Sequence, residues 1–279
     1  MLGDVDSSFL GARRLAAACL ITLIAVAAVW AQGPTVDQLL TRLFTTEGEE
    51  PYELTSDFSG KLNLVVRGSR VTANAQGSFR EWRKSGEVRR RKVTIDRLDV
   101  PLLLRPFSGT LRRLIEEKVE TQTESQETFL AHDVFMLPDL PGRQYALGGV
   151  HRSIVDDAIS RYGKPEDKLD VATRRRIAHW LFTNPNMRSM LVRSGPPYAM
   201  RAVVDDEGHV YDLILYYDWG KIGTKITYTL INSVPVWRNV VSDTVGDLSG
   251  VGRVEGDLVL VFSNHCMNCV RAPSPPPRR

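Results

Sequence analysis

Val71-Thr72-Ala73-Asn74-Ala75-Gln76-Gly77-Ser78-Phe79-Arg80 alternates without a break: Val, Ala, Ala, Gly and Phe at odd positions, Thr, Asn, Gln, Ser and Arg at even ones. A period of two held for ten residues is the pattern of a strand with one buried and one wetted face. Leu62, Leu64 and Val66 repeat the pattern upstream, and Arg67-Gly68-Ser69-Arg70 between them has hairpin-turn composition. Lys84-Ser85-Gly86-Glu87 marks a second turn, after which 88–98 returns as a third strand.

Before this hairpin, Val36, Leu39, Leu40, Leu43 and Phe44 fall at helical spacing, with Thr35 placed to cap the helix. After it, 111–119, 154–162 and 172–182 read as helices, the last stopped by Asn184-Pro185-Asn186. Strands resume at 198–204, 210–217, 222–230, 234–242 and 254–262. In the third of these Ile222, Thr224, Ile226, Tyr228 and Leu230 share a side. Hairpin-linked strands of this length imply an α+β fold: a curved antiparallel sheet forming an incomplete β-barrel, with helices covering its concave face. The expected domain is 32–270, with a helical insertion around 106–195, followed by a Pro/Arg-rich tail, 271–279, expected to be disordered.

At the other end, Arg13-Arg14 precede an apolar run to Ala31 that is shorter than the roughly 20 residues a membrane span needs. Gln32-Gly33-Pro34 breaks it at once. The reading is a signal peptide, 1–31, cleaved after Ala31, with an uncleaved membrane anchor as the alternative. The surroundings of Arg13-Arg14 are poor for a twin-arginine signal, and Ala16-Ala17-Ala18 before Cys19 are poor for lipidation. The chain carries 36 Lys and Arg against 33 Asp and Glu, so its charge of +3 is not the signature of a nucleic-acid binder. With Cys19 removed only Cys266 and Cys269 remain, too few for a disulfide scaffold, so a hydrophobic core must hold the fold.

Little in the sequence argues for catalysis. Five scattered histidines make no metal-ligand spacing, and neither a nucleophile elbow nor a phosphate loop is present. No catalytic residue, metal or cofactor is assigned. His265-Cys266-Met267-Asn268-Cys269 lacks the second pair that a structural zinc site needs and does not open a helix as redox pairs do, which favours a local Cys266–Cys269 disulfide. From Arg80 to Lys118 twelve basic residues stand against six acidic ones, densest at Arg89, Arg90, Arg91 and Lys92. Such a patch could face anionic headgroups, at roughly 1 kcal/mol per basic residue near the surface, or be the solvated outer face of a sheet. The apolar face is assigned to Leu62, Leu64, Val66, Phe79, Leu213, Leu215, Ile226, Tyr228, Leu258 and Leu260. It is either a filled core or the lining of a pocket for an acyl chain, where each buried CH₂ contributes roughly 0.8 kcal/mol.

Leu39-Leu40-x-x-Leu43-Phe44, then Leu54-Thr55-Ser56-Asp57-Phe58-Ser59-Gly60 opening a strand, Gly77-Ser78-Phe79-Arg80, the basic third strand, and the late Asp212-Leu213-Ile214-Leu215 and Thr224-Lys225-Ile226-Thr227-Tyr228 follow in order. This order resembles the outer-membrane lipoprotein carrier (LolA/LolB-like) superfamily over most of 34–264. The resemblance implies an apolar-lined half-barrel, lidded by helices, that binds the acyl chains of lipoproteins or other lipids in the periplasm. It implies a lipid or acylated protein as partner, to which the charge reading adds the membrane surface as a partner for the basic patch and no nucleic acid. On that likeness 111–119 and 154–182 supply lid helices, though the insertion is larger than a minimal carrier needs. Relatives of the fold also serve as envelope-stress sensor domains, so fold alone does not fix function. The expectation is an exported, non-enzymatic lipid or acyl-chain binder of the cell envelope. The alternatives are an envelope sensor or protein-interaction module with a filled core and, third, a cell-envelope hydrolase.

Overall fold

The chain forms strands β1 (Tyr52–Val66), β2 (Ser69–Arg83), β3 (Arg90–Asp99), β4 (His132–Met136), β5 (Gln144–His151), β6 (Ala199–Asp205), β7 (Val210–Tyr217), β8 (Gly220–Ile231), β9 (Val234–Leu248) and β10 (Gly252–Met267). The helices are α1 (Val36–Phe44), α2 (Arg152–Tyr162) and α3 (Val171–Thr183), with a 3₁₀ segment at Leu102–Phe107. This is a computed structural model. It describes residues 34–44, 51–66, 68–83, 90–109, 112, 113, 116, 128–138, 144–162, 170–184, 186, 191, 195–248 and 252–269. The segment 1–31, most of the helix expected at 111–119, and the tail 271–279 lie outside them.

All ten strands join one sheet in the order β3-β2-β1-β10-β9-β8-β7-β6-β5-β4, and every described pairing is antiparallel. The sheet does not close into a barrel, and β3 and β4 are its edges. The fold is therefore α+β with an incomplete barrel. The hairpins obey local chemistry. Gly68 takes φ +79° between β1 and β2, while Asn232 and Ser233 take φ 50° and 65° between β8 and β9. Two consecutive left-handed residues suit the right-handed twist of a two-residue hairpin.

One row of directly opposed residues fixes the inner face across nine strands: Val134, Gly149, Met200, Leu215, Ile222, Thr244, Gly256, Leu64 and Val71. Phe79 shares that face by its spacing from Val71. Phe79 on β2 stacks on Trp237 of β9 with ring centroids 5.7 Å apart. Three strand spacings separate these strands, about 14 Å in a flat sheet. The sheet must therefore curl, and the face with Phe79 is concave. At that end Phe58, Phe79, Val93, Ile95, Leu260 and Phe262 form a packed core.

At the other end of the concave face α1 buries Val36 and Leu39 against Val134, Leu147, Met200 and Val204. Its start is a capping box. Thr35 Oγ1 accepts from the Gln38 amide at 3.3 Å, and Gln38 Oε1 accepts from the Thr35 amide at 2.8 Å.

The helices α2 and α3 lie on the opposite side. Val134 and Phe135 are consecutive in β4 and so face opposite ways, and Phe135 meets Phe182 of α3 with centroids 5.6 Å apart. The expectation that 154–182 lids the concave face is corrected: these helices pack on the convex side, around Phe135, Val150, Ile154, Val155, Ala178 and Leu181. The stretch 106–195, read as a helical insertion, also supplies the strands β4 and β5.

Candidate functional site

Register places the expected lining as follows. Leu62 opposes Leu258, Leu260 opposes Val240, Val240 opposes Ile226, Leu213 opposes Thr224 and Leu215 opposes Ile222. Phe79 and Leu260 are fully packed into the aromatic end. Leu62, Leu64, Leu213, Leu215, Ile226 and Leu258 are only half-buried. On the concave face Leu213 and Leu215 pack against the α1 cluster and Leu258 against the aromatic core, with Leu62, Leu64 and Ile226 in neither cluster. Thr224 and Ser242 interrupt this face with hydroxyls 3.2 Å apart, and Ser242 Oγ also donates to the Gly223 carbonyl at 3.1 Å. The face therefore carries polar groups that are already satisfied.

The side chain of Val66 lies outside the described residues. Tyr228 lies opposite a bulge that adds Arg238 to β9 and donates its hydroxyl to the Val210 carbonyl at 2.9 Å. Leu230, expected beside it, lies next to the β8–β9 turn and is 70% exposed.

The basic run splits by strand period. Arg90 and Lys92 point outward and are exposed, and Arg89 lies outside the described residues. Arg91 is a correction: it faces inward, is buried, and cannot meet a membrane headgroup. Its Nε donates to Glu81, whose other carboxylate oxygen accepts from the Tyr52 hydroxyl. The guanidinium also lies over the Trp237 ring, 4.1 Å from its centroid. A cation placed there is neutralised by its carboxylate and held by the ring quadrupole. Arg91 Nη1 is buried without a hydrogen-bond partner among the described residues.

Ser56 Oγ lies 2.7 Å from His265 Nδ1. Burial holds the His265 pKa below its ordinary value. Ser56 itself is fully buried, which closes its hydroxyl to substrate and makes the pair a structural hydrogen bond. Beside it Cys266 and Cys269 are disulfide-bonded, with Cα atoms 5.7 Å apart. Among the described residues no group of three or more His, Cys, Asp or Glu side chains could hold a metal, and no helix is long and apolar enough to cross a membrane.

On the convex side a cleft of about 590 Å³ is lined by Tyr198, Tyr216, Tyr217, Trp219, Phe182 and others. A groove of about 420 Å³ runs over Lys61, Asn74, Gln76, Arg97 and Asp99. Neither was expected from the sequence, although Tyr216-Tyr217-Asp218-Trp219 is the densest aromatic stretch in the chain.

No family model and no curated protein matches the sequence. Among solved structures, the chain is similar to a Vibrio parahaemolyticus domain described as outer membrane lipoprotein-sorting, at 8% identity and a TM-score of 0.35, over 85% of this chain and 92% of that one. It is also similar to a DUF1329 family protein from Desulfovibrio piger, at 9% identity and a TM-score of 0.38, over 86% and 96%. Likeness at these scores carries no argument about ligand or partner, and the half-barrel rests on the sheet itself.

Proposed function

We propose that this is an exported, non-enzymatic protein of the cell envelope that binds a lipid or acyl chain on its concave face. The observation that carries the reading is the half-buried Leu62, Leu64 and Ile226 on the concave face of one curled sheet, flanked by Leu258 at the aromatic core and by Leu213 and Leu215 at the α1 cluster. Apolar side chains left half-buried on a concave face suit an apolar ligand. Export is supported by Arg13-Arg14 and the apolar run that follows them. The exposed Arg90 and Lys92 suit approach to anionic headgroups.

The test is native mass spectrometry of the protein purified without detergent from a membrane-containing host, followed by organic extraction. A discrete added mass that extracts as lipid supports the reading. Protein that stays bare after incubation with phospholipids and acylated peptides overturns it. The second reading is a protein-interaction module, favoured by the aromatic end, where Phe79, Trp237 and Phe262 fill the concavity with the chain's own rings. Bare protein would move the search there.

A further inference from the structure

The convex cleft has features that the lipid reading does not use. Trp219 is fixed by its surroundings: its carbonyl accepts from the Asp247 amide at 2.7 Å, and its ring lies so close on Gly246 that an added Cβ would sit 2.6 Å from it. Tyr217 stacks on it, centroids 4.9 Å apart and 20° from parallel. Across the cleft Tyr198 and Tyr216 lie 6.4 Å apart. All four rings are half-buried, so each offers surface to a ligand. Asp218 and Asp247 are exposed in the lining, against one lysine, Lys221. Rigid aromatic walls with flanking carboxylates are what a proline-rich segment with adjacent arginines docks into, because its polyproline conformation costs little entropy to fix.

The chain carries such a segment itself. Pro273-Ser274-Pro275-Pro276-Pro277-Arg278-Arg279 holds prolines three apart, followed by two arginines, and Arg271 precedes it. We propose that this segment of one copy docks in the Tyr217–Trp219 cleft of a second copy. The same molecule is excluded by reach. Asp247 pairs with Arg253 at the start of β10, and Met267 ends that strand, so about 46 Å of strand separates the cleft from the end of β10. Arg278 lies nine residues beyond Cys269, and nine residues fully extended span at most about 32 Å. A contact between different patches on successive copies is heterologous and produces chains or rings rather than a two-fold dimer.

The inference is independent of what the concave face binds. The probe is a labelled peptide of residues 270–279 titrated into the full chain, read by anisotropy and by Trp219 fluorescence. Saturable binding is expected. Pro273→Ala with Pro276→Ala in the peptide, or Trp219→Ala in the protein, should each weaken it by about tenfold or more. Asp218→Asn with Asp247→Asn, which leaves the rings in place, should weaken binding and flatten its salt dependence. Sedimentation of the full chain should show mass rising with concentration, and the two Pro→Ala changes should abolish that rise. A peptide that does not bind at millimolar concentration overturns the proposal, as does equal binding of the alanine peptide. Equal binding by a folded Asp218→Asn, Asp247→Asn variant overturns it too.

Discussion

Arg91 of β3 lies over the Trp237 ring of β9, guanidinium carbon 4.1 Å from the ring centroid, although β2, β1 and β10 stand between their strands in the sheet. The contact ties the β3 edge to the middle of the sheet and holds the curl. Removing the cation takes the Arg91 charge away from buried Glu81, which keeps the Tyr52 hydroxyl. Arg91→Met should therefore cost roughly 3–5 kcal/mol, and adding Glu81→Met should recover most of it, since a buried pair is often replaceable by apolar groups. Urea unfolding of the two variants checks this. A single variant as stable as the parent would show that the pair does not hold the curl.

Neighbouring arginines on α3 should behave differently. Arg174 donates to Asp133, which is buried, at 2.8 Å, and to Asp156 at 2.6 Å. Arg175 reaches over the β4 edge to Asp37 of α1, which is largely exposed. Loss of Arg174 leaves the buried Asp133 carboxylate only the more distant Arg152, 3.8 Å away, whereas loss of Arg175 removes a surface pair of roughly 0–1 kcal/mol. Thermal melts of Arg174→Ala and Arg175→Ala should show the first falling several times further. Equal shifts would contradict the distinction.

Burial pushes the pKa of His132 down to about 4, against opposing pulls from the carbonyls of Thr128 and Pro197 that face its two ring nitrogens. In the unfolded chain the ring takes up its proton near pH 6.5. Between these values the unfolded state binds more protons, so stability rises with pH, and acidification from 6.5 to 4 removes it. The loss from this group is roughly 3 kcal/mol across the window. His132→Gln should flatten that part of the stability–pH curve. An unchanged slope would place the acid sensitivity elsewhere.

On the concave face, Leu62→Asp and Leu258→Asp put a charge where an acyl chain is proposed to lie. Both positions are half-buried, so cooperative melting should survive while retention of extracted lipid is lost. Leu230→Asp, at an exposed position, should change neither. Full lipid retention in both concave-face variants would remove that face as the binding site.

The sheet was legible wherever one strand face is wet. The alternation at 71–80 places Ala73, Ala75 and Phe79 in the core as read. The strands β4 and β5 were not legible, for a physical reason. His132, Asp133, Val134 and Phe135 are buried on both faces, covered by α1 on one side and α3 on the other, so no period of two survives. Gly148-Gly149 in β5 looks like a turn, but Gly148 is required because Phe135 fills the space a Cβ would take. Arg91 was misread because a run of four basic residues masked the strand period. Its spacing from Val93 and Ile95 already placed it inside. The aromatic cleft joins α3 to two hairpins far apart in sequence, and no local pattern announces that.

The pairing of β1 with β10 decides when the protein can become whole. Strands β1, β2 and β3 can form a meander as soon as they are made, and so can β4 to β10, since each strand follows its neighbour. The seam between these halves, Leu54 through Val66 against Val254 through Met267, joins residues from opposite ends of the chain. Until the last strand arrives, one flank of β1 has bare backbone donors and acceptors and an unclosed apolar face, the condition in which sheets pair with strangers. A chain rewired to start at β4 and run through β10 directly into β1 would be one uninterrupted meander with no such wait. The natural order leaves β1 in need of protection until β10 has been made.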